Sequence, residues 1–578
     1  MTFKINNFHK ISFWVSLISV ILILLDVGFS LNGSSQSFLS QLYWVALGTG
    51  LFSLALRYKK PIKGIKKKIL FFDAVLLLLL GTAFLSLFLS QLEASLPLTQ
   101  SQWVKTTVFF LFIREFIELK INLKRSVLNP VQLFILSFLI VIFLGSLLLM
   151  LPRATYHELS YIDALFTSTS AVCVTGLIVV DTATAFTPFG KLILMLLIQV
   201  GGLGILTFIS YFTYFFQGGT SYENQVVLSF ISSSRKIGEV FTTLKSILLI
   251  TFGVELLSSV LIFFSISSES FNSLSEQIFF SVFHSVSAFC NAGFSTFTNN
   301  LYEVDFRFNY YFQLIIIFNF VIGGLGFPIV TNILNYVKYK ILTLFNSNKD
   351  KHKPWVLNLN SRISLITTVT LSLVAFCIFY LFEYNNTLVE HEGVGKIVTT
   401  LFSVTTPRTA GFNTIDFSTL RVPTILFICF LMWVGASPQS TGGGIKTSTF
   451  AIAVLNVLSL ARGKSRIEIY RREIAGASVK RAYAIMTLSF FILGLGILLI
   501  SLFDPEKELL KIVFECFSAY GTVGLSLGIT AQLSTASKIV IICIMFVGRI
   551  SMLSLVISFF KHVNYQNYNY PKEEILIN

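Results

Sequence analysis

Four short stretches of the chain have residue types suited to holding a bare cation. Each is a glycine preceded by two small or β-branched residues, and we call them the glycine triples: Val174-Thr175-Gly176, Asn291-Ala292-Gly293, Thr409-Ala410-Gly411 and Thr522-Val523-Gly524. Glycine allows sharp backbone turns and puts no side chain into a pore. Backbone carbonyls that are free of internal hydrogen bonds can replace the hydration shell of a cation. The triples therefore predict carbonyl coordination of a cation such as K⁺.

The spacing of the triples indicates that they belong to one structure. Their glycines stand at positions 176, 293, 411 and 524, so successive glycines are 117, 118 and 113 residues apart. Near-constant spacing, with a short helix-like segment before each triple, favours a repeated architecture over four ordinary extracellular turns. Such helices would point the negative ends of their dipoles at a shared axis, which favours a cation. No ring of carboxylates accompanies the triples, which argues against a calcium-type filter.

The composition is typical of a polytopic membrane protein. Of 578 residues, 54% are hydrophobic and only 12% are charged, whereas about 25% are charged in soluble proteins. A net charge of +15 could indicate nucleic-acid binding. However, the basic residues lie in short loops between apolar runs, as they do on the cytoplasmic side of membrane proteins. The six cysteines show no paired spacing, so neither a disulfide framework nor a metal site is expected.

Each glycine triple lies within a unit of the same order: a long helix, a short pore helix, the triple and a second long helix. We expect four such pore units around one central pore, at residues 129–217, 244–345, 362–460 and 481–562, followed by a cytoplasmic tail at 563–578. The predicted first helices are Val131–Leu151, Leu244–Ser265, Leu365–Leu381 and Tyr483–Phe503. The predicted pore helices are Ile162–Val172, Glu276–Phe289, Lys396–Thr406 and Lys511–Tyr520. The predicted second helices are Phe189–Phe216, Tyr311–Val337, Thr424–Leu458 and Lys538–Phe560.

Residues 1–128 form a separate N-terminal extension of three to four transmembrane helices. Three apolar runs, Ile11–Phe29, Phe38–Leu56 and Ile69–Leu89, are long enough to span. Val104–Ile117 is shorter and charged, so it is either a short span or a helix lying at the interface. The basic cluster between Arg57 and Lys68, like the basic links between units two, three and four, should be cytoplasmic. Both termini are then inside, and the glycine triples enter from the outside.

The second helix of unit three should break. Its stretch Trp433–Lys446 contains Pro438 and Gly442-Gly443-Gly444, which destabilise a helix interior. A phosphate-binding loop ending at Lys446 fits poorly, because no glycine directly precedes that lysine. A simple kink remains open. We favour a mobile plug below the glycine triples, with Gly442, Gly443, Gly444 and Lys446 as gate residues.

Two charged residues and two glycine strings stand within other apolar runs. Arg549 in unit four could reach the inner interface, but an intramembrane arginine is a functional hypothesis by default. We expect it to face the pore near Gly442–Gly444, to repel cations and to bond loop carbonyls. For Glu255 we favour a structural pairing over contact with a coupling ion. The strings Gly-Gly-Leu-Gly at 201–204 and 323–326 predict close helix packing.

Four stretches carry a family resemblance: Thr169–Leu177, Ser287–Phe294, Val404–Asp416 and Ser518–Leu525. On these, residues 129–560 resemble the Ktr/Trk/HKT superfamily of potassium transporters, most closely the Ktr membrane subunit. The resemblance implies an all-α, fourfold pseudosymmetric pore with one selectivity-filter strand per repeat. In that family a glycine in every filter strand accompanies K⁺ preference, and a serine in the first strand accompanies Na⁺. All four positions are glycine here.

The resemblance extends to the gate. The family has a similar Ser-Thr-Gly-Gly-Gly-Ile-Lys string as an intramembrane gate, and an arginine at the place of Arg549. It usually follows that arginine with a small residue and proline, whereas this chain has Ser551-Met552. Without that proline, the helix that follows Arg549 need not have the family's local geometry.

The expected function is K⁺ uptake across the cytoplasmic (inner) membrane, driven by a potential that supplies ~2.3 kcal/mol per charge per 100 mV. No nucleotide-binding motif is present, and no enzymatic activity is expected. The resemblance implies a homodimer and a cytosolic ring of nucleotide-binding subunits, for which the basic segments 338–364 and 461–481 would be docking surfaces. Activation by Na⁺ stays open. The alternatives are a Na⁺- or H⁺-coupled secondary transporter and a less selective Na⁺/K⁺ conduit.

Overall fold

Most of the described chain is helical. The structure is a computed structural model that describes residues 2–29, 33–58, 67–90, 100–118, 130–204, 240–267, 271, 273–345, 357–550 and 552–559. In these ranges the only sheet is a two-stranded antiparallel hairpin, Glu468–Ile469 with Arg472–Glu473. Six of the described helices are long and apolar enough to cross a membrane, or seven if one bent pair counts as a span. The predicted all-α polytopic class is confirmed.

The N-terminal extension is a bundle of four helices: α1 (Thr2–Gly28), α2 (Gly33–Tyr58), α3 (Lys67–Ser90) and α4 (Gln100–Glu118). Helix α4 packs against each of the other three. Two of its charged residues have partners within the bundle. Arg114 is ion-paired with Asp73 of α3, and Glu115 accepts a 3.1 Å hydrogen bond from the Ser12 hydroxyl of α1.

This packing bears on whether the fourth apolar run spans the membrane. Helix α4 has 19 residues, which at 1.5 Å per residue is about 28 Å, close to the ~30 Å hydrocarbon thickness. Lys105 near its start pairs with Asp26 of α1 at 2.7 Å. These contacts tie α4 into the bundle, although α4 is not among the six described helices that are long and apolar enough to cross a membrane.

The four pore units have the predicted order of helices. The first helices are α5 (Pro130–Leu149), α8 (Val240–Ser265), α12 (Leu359–Glu383) and α16 (Gly476–Phe503). The pore helices are α6 (Tyr161–Val172), α9 (Leu274–Phe289), α13 (Val394–Thr405) and α17 (Leu509–Gly521). The second helices are α7 (Pro188–Leu203), α10 and α11 (Tyr310–Leu325 and Phe327–Phe345), α14 and α15 (Val422–Trp433 and Thr447–Ala461), and α18 and α19 (Thr535–Ile550 and Met552–Phe559). Short helical turns lie at Thr182–Ala185, Val304–Arg307, Thr387–Glu390, Phe417–Thr419 and Thr530–Gln532.

Local sequence explains where two pore helices begin. Ser160 caps α6 by accepting the Asp163 backbone N–H at 3.1 Å, and Ser273 caps α9 through the Glu276 N–H at 3.2 Å. In both, an acid stands in the first turn, where the positive end of the helix dipole stabilises it. These caps fix the N-terminal ends of the helices that lead into the glycine triples.

The prediction of an unbroken helix over Tyr311–Val337 was wrong. Helices α10 and α11 meet at an angle of 107°. Gly326 between them has φ +84°, a left-handed conformation that suits glycine, and Pro328 follows at the second position of α11. The Gly-Gly-Leu-Gly string at 323–326, which was predicted to pack against another helix, thus also ends α10.

The second helices of units one and three also depart from the predicted single helix. Helix α7 ends at Leu203, where Gly204 has φ +78°, so the predicted Phe189–Phe216 is one helix only as far as residue 203. Residues 205–216 lie outside the described part of the chain, as do Ser551, the tail 563–578, and much of the basic clusters at 57–68 and 338–364. In unit three the chain from Val434 to Lys446 is non-helical. The predicted break there is confirmed.

Candidate functional site: the glycine triples and the loop below them

The four glycine triples meet in a closed ring. A Cβ atom built on each glycine would lie too close to the carbonyl oxygen of the middle residue in the next unit's triple. The distances are 2.4 Å from Gly176 to Ala292, 3.0 Å from Gly293 to Ala410, 2.1 Å from Gly411 to Val523 and 2.2 Å from Gly524 to Thr175. The contacts therefore run from unit one through two, three and four and back to one. Each glycine is the residue that lets neighbouring backbones approach.

The backbone of the four triples repeats the same departure from ordinary geometry. The first residue of each triple has a positive φ, at 57° for Val174, 61° for Asn291, 78° for Thr409 and 50° for Thr522. The glycines also have positive φ values. A β-branched residue such as Val174 rarely adopts this conformation. Strain of this kind is held in place by surrounding structure and is common at functional sites.

Hydroxyl residues at the ends of the pore helices hold the triples. The N–H groups of Thr175, Ala292 and Val523 donate to the carbonyls of Ser170, Ser287 and Ser518, five residues earlier, at 2.7, 2.7 and 2.9 Å. The Ser170 and Ser518 hydroxyls also accept the N–H groups of Gly176 and Gly524, each at 3.1 Å. In unit three Thr406 takes this place, accepting the Ala410 N–H at 2.9 Å.

None of these four hydroxyl residues was predicted from the sequence to have a role at the site. Ser170, Ser287 and Ser518 stand six residues before their glycines and Thr406 stands five before Gly411, so a recurring hydroxyl position was visible in the four segments.

Most of the backbone N–H groups of the triples donate to the pore helices, so the carbonyls of the triples have no helix N–H to bind. Within the described residues, eleven of the twelve carbonyl oxygens of the triples accept no hydrogen bond. The exception is Gly293, whose oxygen accepts from Asn300 Nδ2 at 3.1 Å. Buried carbonyls are almost always paired, and one left unpaired costs about 1–3 kcal/mol. A dehydrated cation is the partner that would satisfy a ring of such groups.

A cavity of about 630 Å³ opens above the glycine end of the ring, and we call it the vestibule. All four glycines line it, together with the loops that follow each triple. Asp181 and Asp416 contribute carboxylates to its wall. Acidic residues around a recess raise the local concentration of cations.

The chain between α14 and α15, residues 434–446, lies against the opposite end of the ring. The Gly443 N–H donates to the Thr522 hydroxyl at 2.8 Å, and the Thr441 hydroxyl donates to the Phe289 carbonyl at 3.3 Å. A Cβ on Gly442 would lie 2.0 Å from the Thr409 hydroxyl. This 434–446 loop thus contacts units two, three and four just below their triples.

Two basic side chains hold the 434–446 loop in place. Lys446 Nζ donates to the carbonyls of Gly442 at 2.6 Å and Gly443 at 3.4 Å. Arg549 donates to the Thr441 carbonyl and, at 2.5 Å, to the Gly201 carbonyl of unit one. The sequence placed Arg549 beside Gly442–Gly444, and the structure puts it on the residue just before them. These contacts fit the interpretation of the segment as a plug, because Lys446 donates hydrogen bonds to carbonyls of the loop itself.

The Gly-Gly-Leu-Gly strings pack against the ends of two pore helices. A Cβ on Gly201 would lie 2.1 Å from the Val172 carbonyl oxygen, and one on Gly323 would lie 2.0 Å from that of Phe289. These contacts are the close helix packing that was predicted for both strings. It also places the Gly201 carbonyl within reach of Arg549.

Glu255 is buried in α8 and joins two units. It accepts two hydrogen bonds from the Gln199 side-chain amide of α7, at 3.0 and 3.3 Å. Within the described residues it has no ion-pair partner. The pairing expected for this acid is therefore with an amide of unit one.

Comparison with known proteins agrees with this architecture. A family model described as "TrkH: Cation transport protein" matches residues 101–570. The chain belongs to this family of membrane cation transporters. The match covers all four pore units and reaches back to include α4, further than the stretch from residue 129 on which the resemblance was drawn.

Curated relatives and a solved structure support the same assignment. The chain is 38% identical to Ktr system potassium uptake protein B of Bacillus subtilis, covering 77% of this chain and 96% of the relative. It is 33% identical to potassium/sodium uptake protein NtpJ of Enterococcus hirae, covering 78% and 98%. The crystal structure of the potassium transporter TrkH from Vibrio parahaemolyticus matches with a TM-score of 0.60 at 18% identity, over 85% and 98% of the two chains. The last comparison shows a shared fold, and the resemblance to the Ktr and Trk proteins is confirmed.

Proposed function

We propose that this protein takes up K⁺ through a selective, gated pore whose filter is the ring of four glycine triples. The observation that carries the proposal is the set of eleven unpaired carbonyls in a closed fourfold ring. Relatives from Bacillus subtilis and Vibrio alginolyticus are named potassium uptake proteins. All twelve residues of the triples would act through their backbone oxygens, with K⁺ as the transported ion rather than a resident cofactor.

Selection for K⁺ rests on the glycine at all four positions. Without a side chain at Gly176, the Ala292 carbonyl of the next unit can lie against its backbone. A serine there would push units one and two apart and change both the size of the ring and the orientation of its oxygens. Cavity size and the field of the carbonyl dipoles are the two factors held to govern K⁺ over Na⁺, and a single substitution at this position alters both.

The membrane potential supplies the driving force. At ~2.3 kcal/mol per charge per 100 mV, a negative interior draws K⁺ through an open pore without ATP hydrolysis. The vestibule would face outward and the basic links inward, in the cytoplasmic membrane, with both termini in the cytoplasm. The carboxylates of Asp181 and Asp416 would then meet external cations first.

We assign gating to the 434–446 loop. It contacts three units at the inner end of the ring, and Lys446 and Arg549 hold it there. A cation leaving the ring inward would meet two positive side chains and a segment of backbone. Displacement of Gly442–Gly444, with release of the Arg549 contact, would open the path.

Regulation would come from a separate cytosolic protein. The names of the relatives refer to a "Ktr system", and the expected partner is a ring of nucleotide-binding subunits. The hairpin Glu468–Glu473 and its surroundings present exposed basic side chains, among them Arg466, Arg471 and Arg472. These would contact the partner, and the transporter would act as a homodimer. Dependence on Na⁺ is a further part of this proposal.

A less selective Na⁺/K⁺ conduit is the second candidate. The name of the Enterococcus hirae relative includes sodium as well as potassium. The two candidates predict different competition by external ions. A coupled secondary transporter would differ from both, because its flux would require the second ion and would not simply follow the electrochemical gradient of the first.

The test is ⁸⁶Rb⁺ flux into proteoliposomes, with K⁺ and Na⁺ as competitors. Wild-type protein should be inhibited by K⁺ at much lower concentrations than by Na⁺, and Gly176→Ser should reduce that difference. Gly494→Ser is the matched control, because a Cβ at Gly494 in α16 meets no atom within 4 Å. Equal competition by the two ions in the wild type would refute K⁺ selectivity and favour the second candidate.

A further inference from the structure

We infer that Asn300 is a positioning residue that sets ion discrimination at the outer end of the ring. The inference rests on the proposed role of the glycine triples as a cation filter and goes beyond it, because Asn300 lies outside every triple. It lies in the loop that follows the second triple and lines the vestibule.

The contact is direct. Asn300 Nδ2 donates to the Gly293 carbonyl oxygen at 3.1 Å. Its backbone adopts φ +57°, a left-handed conformation that asparagine tolerates better than most residues. Its other side-chain atom, Oδ1, is buried and has no hydrogen-bond partner among the described residues. The side chain is therefore held in the loop with its one observed bond made to the ring.

This hydrogen bond breaks the fourfold symmetry of the ring. The carbonyls of Gly176, Gly411 and Gly524 accept no hydrogen bond from the described residues, whereas that of Gly293 does. A carbonyl oxygen has two lone pairs, so the amide occupies one and leaves one for a cation. The outer layer of oxygens thus has three free members and one that is tied to the vestibule wall.

The tie has a definite consequence for selectivity. A smaller ion such as Na⁺ requires the oxygens to move inward, and an oxygen bonded to Asn300 resists that movement. The donated hydrogen bond also weakens the field that Gly293 directs at the ion, and a weaker field favours the larger, more easily dehydrated K⁺. Both effects act in the same direction, so loss of the amide should lower discrimination between K⁺ and Na⁺.

Two substitutions remove the donor and keep the backbone conformation accessible. Asn300→Gly deletes the side chain at a position whose positive φ glycine adopts without strain. Asn300→Asp keeps the shape of the side chain but has no amide N–H to donate. Asn299→Asp is the matched control, because it adds the same charge to the vestibule wall at a neighbouring residue whose side chain makes no hydrogen bond to the described residues. The hydrogen bonds of Asn299 are made by its backbone, from its N–H to Glu303 at 3.3 Å and from the Tyr302 N–H to its carbonyl at 3.1 Å.

The measurement is the ratio of the Na⁺ and K⁺ concentrations that halve ⁸⁶Rb⁺ flux in proteoliposomes. A lost hydrogen bond predicts a decrease of about threefold to tenfold in this ratio for both Asn300 variants. Maximal flux and thermal stability should stay close to wild type, and Asn299→Asp should leave the ratio unchanged.

Several results would overturn the inference. One is an unchanged ratio in Asn300→Gly, whatever Asn300→Asp does. Another is an equal decrease in Asn299→Asp, which would assign the effect to vestibule charge. A third is a loss of maximal flux and stability at constant ratio, which would make the residue merely structural. If the wild type itself fails to distinguish K⁺ from Na⁺, the proposed function fails. If the wild type discriminates and the variants match it, only the role of Asn300 fails.

Discussion

Gly443 donates its backbone N–H to the Thr522 hydroxyl at 2.8 Å, so the loop below the ring is bonded to a residue of the ring itself. Thr522 is the first residue of the fourth triple, and its own carbonyl accepts no hydrogen bond from the described residues. A displacement of the 434–446 loop must therefore break a bond to a residue whose backbone is proposed to face the ion. The proposed gate and the proposed filter are therefore joined by a hydrogen bond at this point.

The first prediction is that Thr522→Val raises basal flux. Valine removes the acceptor for Gly443 and keeps the shape of threonine, and Val174 already occupies the equivalent position in unit one with a similar φ of 57°. A hydrogen bond worth about 1 kcal/mol corresponds to roughly a fivefold shift in the closed–open equilibrium. Flux of ⁸⁶Rb⁺ without any added partner protein measures it.

Thr535→Val provides the control for this prediction, since Thr535 is exposed at the start of α18. Basal flux in Thr522→Val that matches the wild type, at equal amounts of folded protein, would show that this bond does not hold the loop closed.

The second prediction concerns Arg549, which bridges the loop to unit one. Arg549→Ala removes the bonds to the Thr441 and Gly201 carbonyls and a positive charge from the proposed ion path. Hydrogen bonds from a charged donor are worth about 1.5–3 kcal/mol each, so basal cation flux should rise by about tenfold or more. Deletion of Gly442–Gly444 should have a similar effect.

Arg549→Lys should give an intermediate flux, because one ammonium group has no planar fork with which to bond two carbonyls from separate units. Arg421→Ala, at an exposed position at the start of α14, is the control. Unchanged or lower uptake by well-folded Arg549→Ala would contradict a role for this arginine in closing the pore.

The repeated order of helices could be predicted from the sequence, whereas most contacts between the pore units could not. Helix order and the four glycine positions could be predicted because apolar length and glycine spacing are local signals. The order of the units around the ring and the angle at Gly326 could not be predicted, because both depend on tertiary contacts between segments that are far apart in the sequence. Gly323 and Gly326 stand in one glycine string and both lie against a backbone carbonyl, yet only Gly326 also turns the chain. Asn300 could not be singled out from the sequence, because its inferred role rests on one hydrogen bond to Gly293 that exists only in the folded loop.

The third prediction separates two roles for Glu255. Glu255→Gln removes the charge and keeps side-chain length and hydrogen-bonding capacity near Gln199, so flux should stay within about twofold of wild type if the acid is only a structural link. Glu255→Ala leaves the buried Gln199 amide without its acceptor, which should lower stability by about 1–3 kcal/mol. Thermal unfolding in detergent and ⁸⁶Rb⁺ flux together measure both. A large loss of flux in Glu255→Gln would instead indicate that the carboxylate charge contacts a coupling ion.

The last prediction is a loss of stability at acid pH that depends on His391. This side chain lies outside the helices, between Glu390 and the start of α13, and its Nδ1 is 3.1 Å from the Tyr310 hydroxyl. Burial lowers the pKa of His391 below its ordinary value of 6.5; Glu390 opposes this change, and Arg307 and Lys396 reinforce it. The folded protein therefore binds this proton less readily than the unfolded chain does.

The sign of the effect follows from that difference. The unfolded state takes up the proton first as pH falls, so the stability contributed by neutral His391 is complete above pH 6.5 and decreases as the pH falls toward the lower pKa of the folded state. The thermal midpoint should thus be higher at pH 8 than at pH 5, and His391→Asn, which cannot titrate, should reduce this difference. His157→Asn is the control, because His157 is an exposed histidine outside this contact. A pH dependence that is identical in wild type and His391→Asn would rule out this histidine as its source.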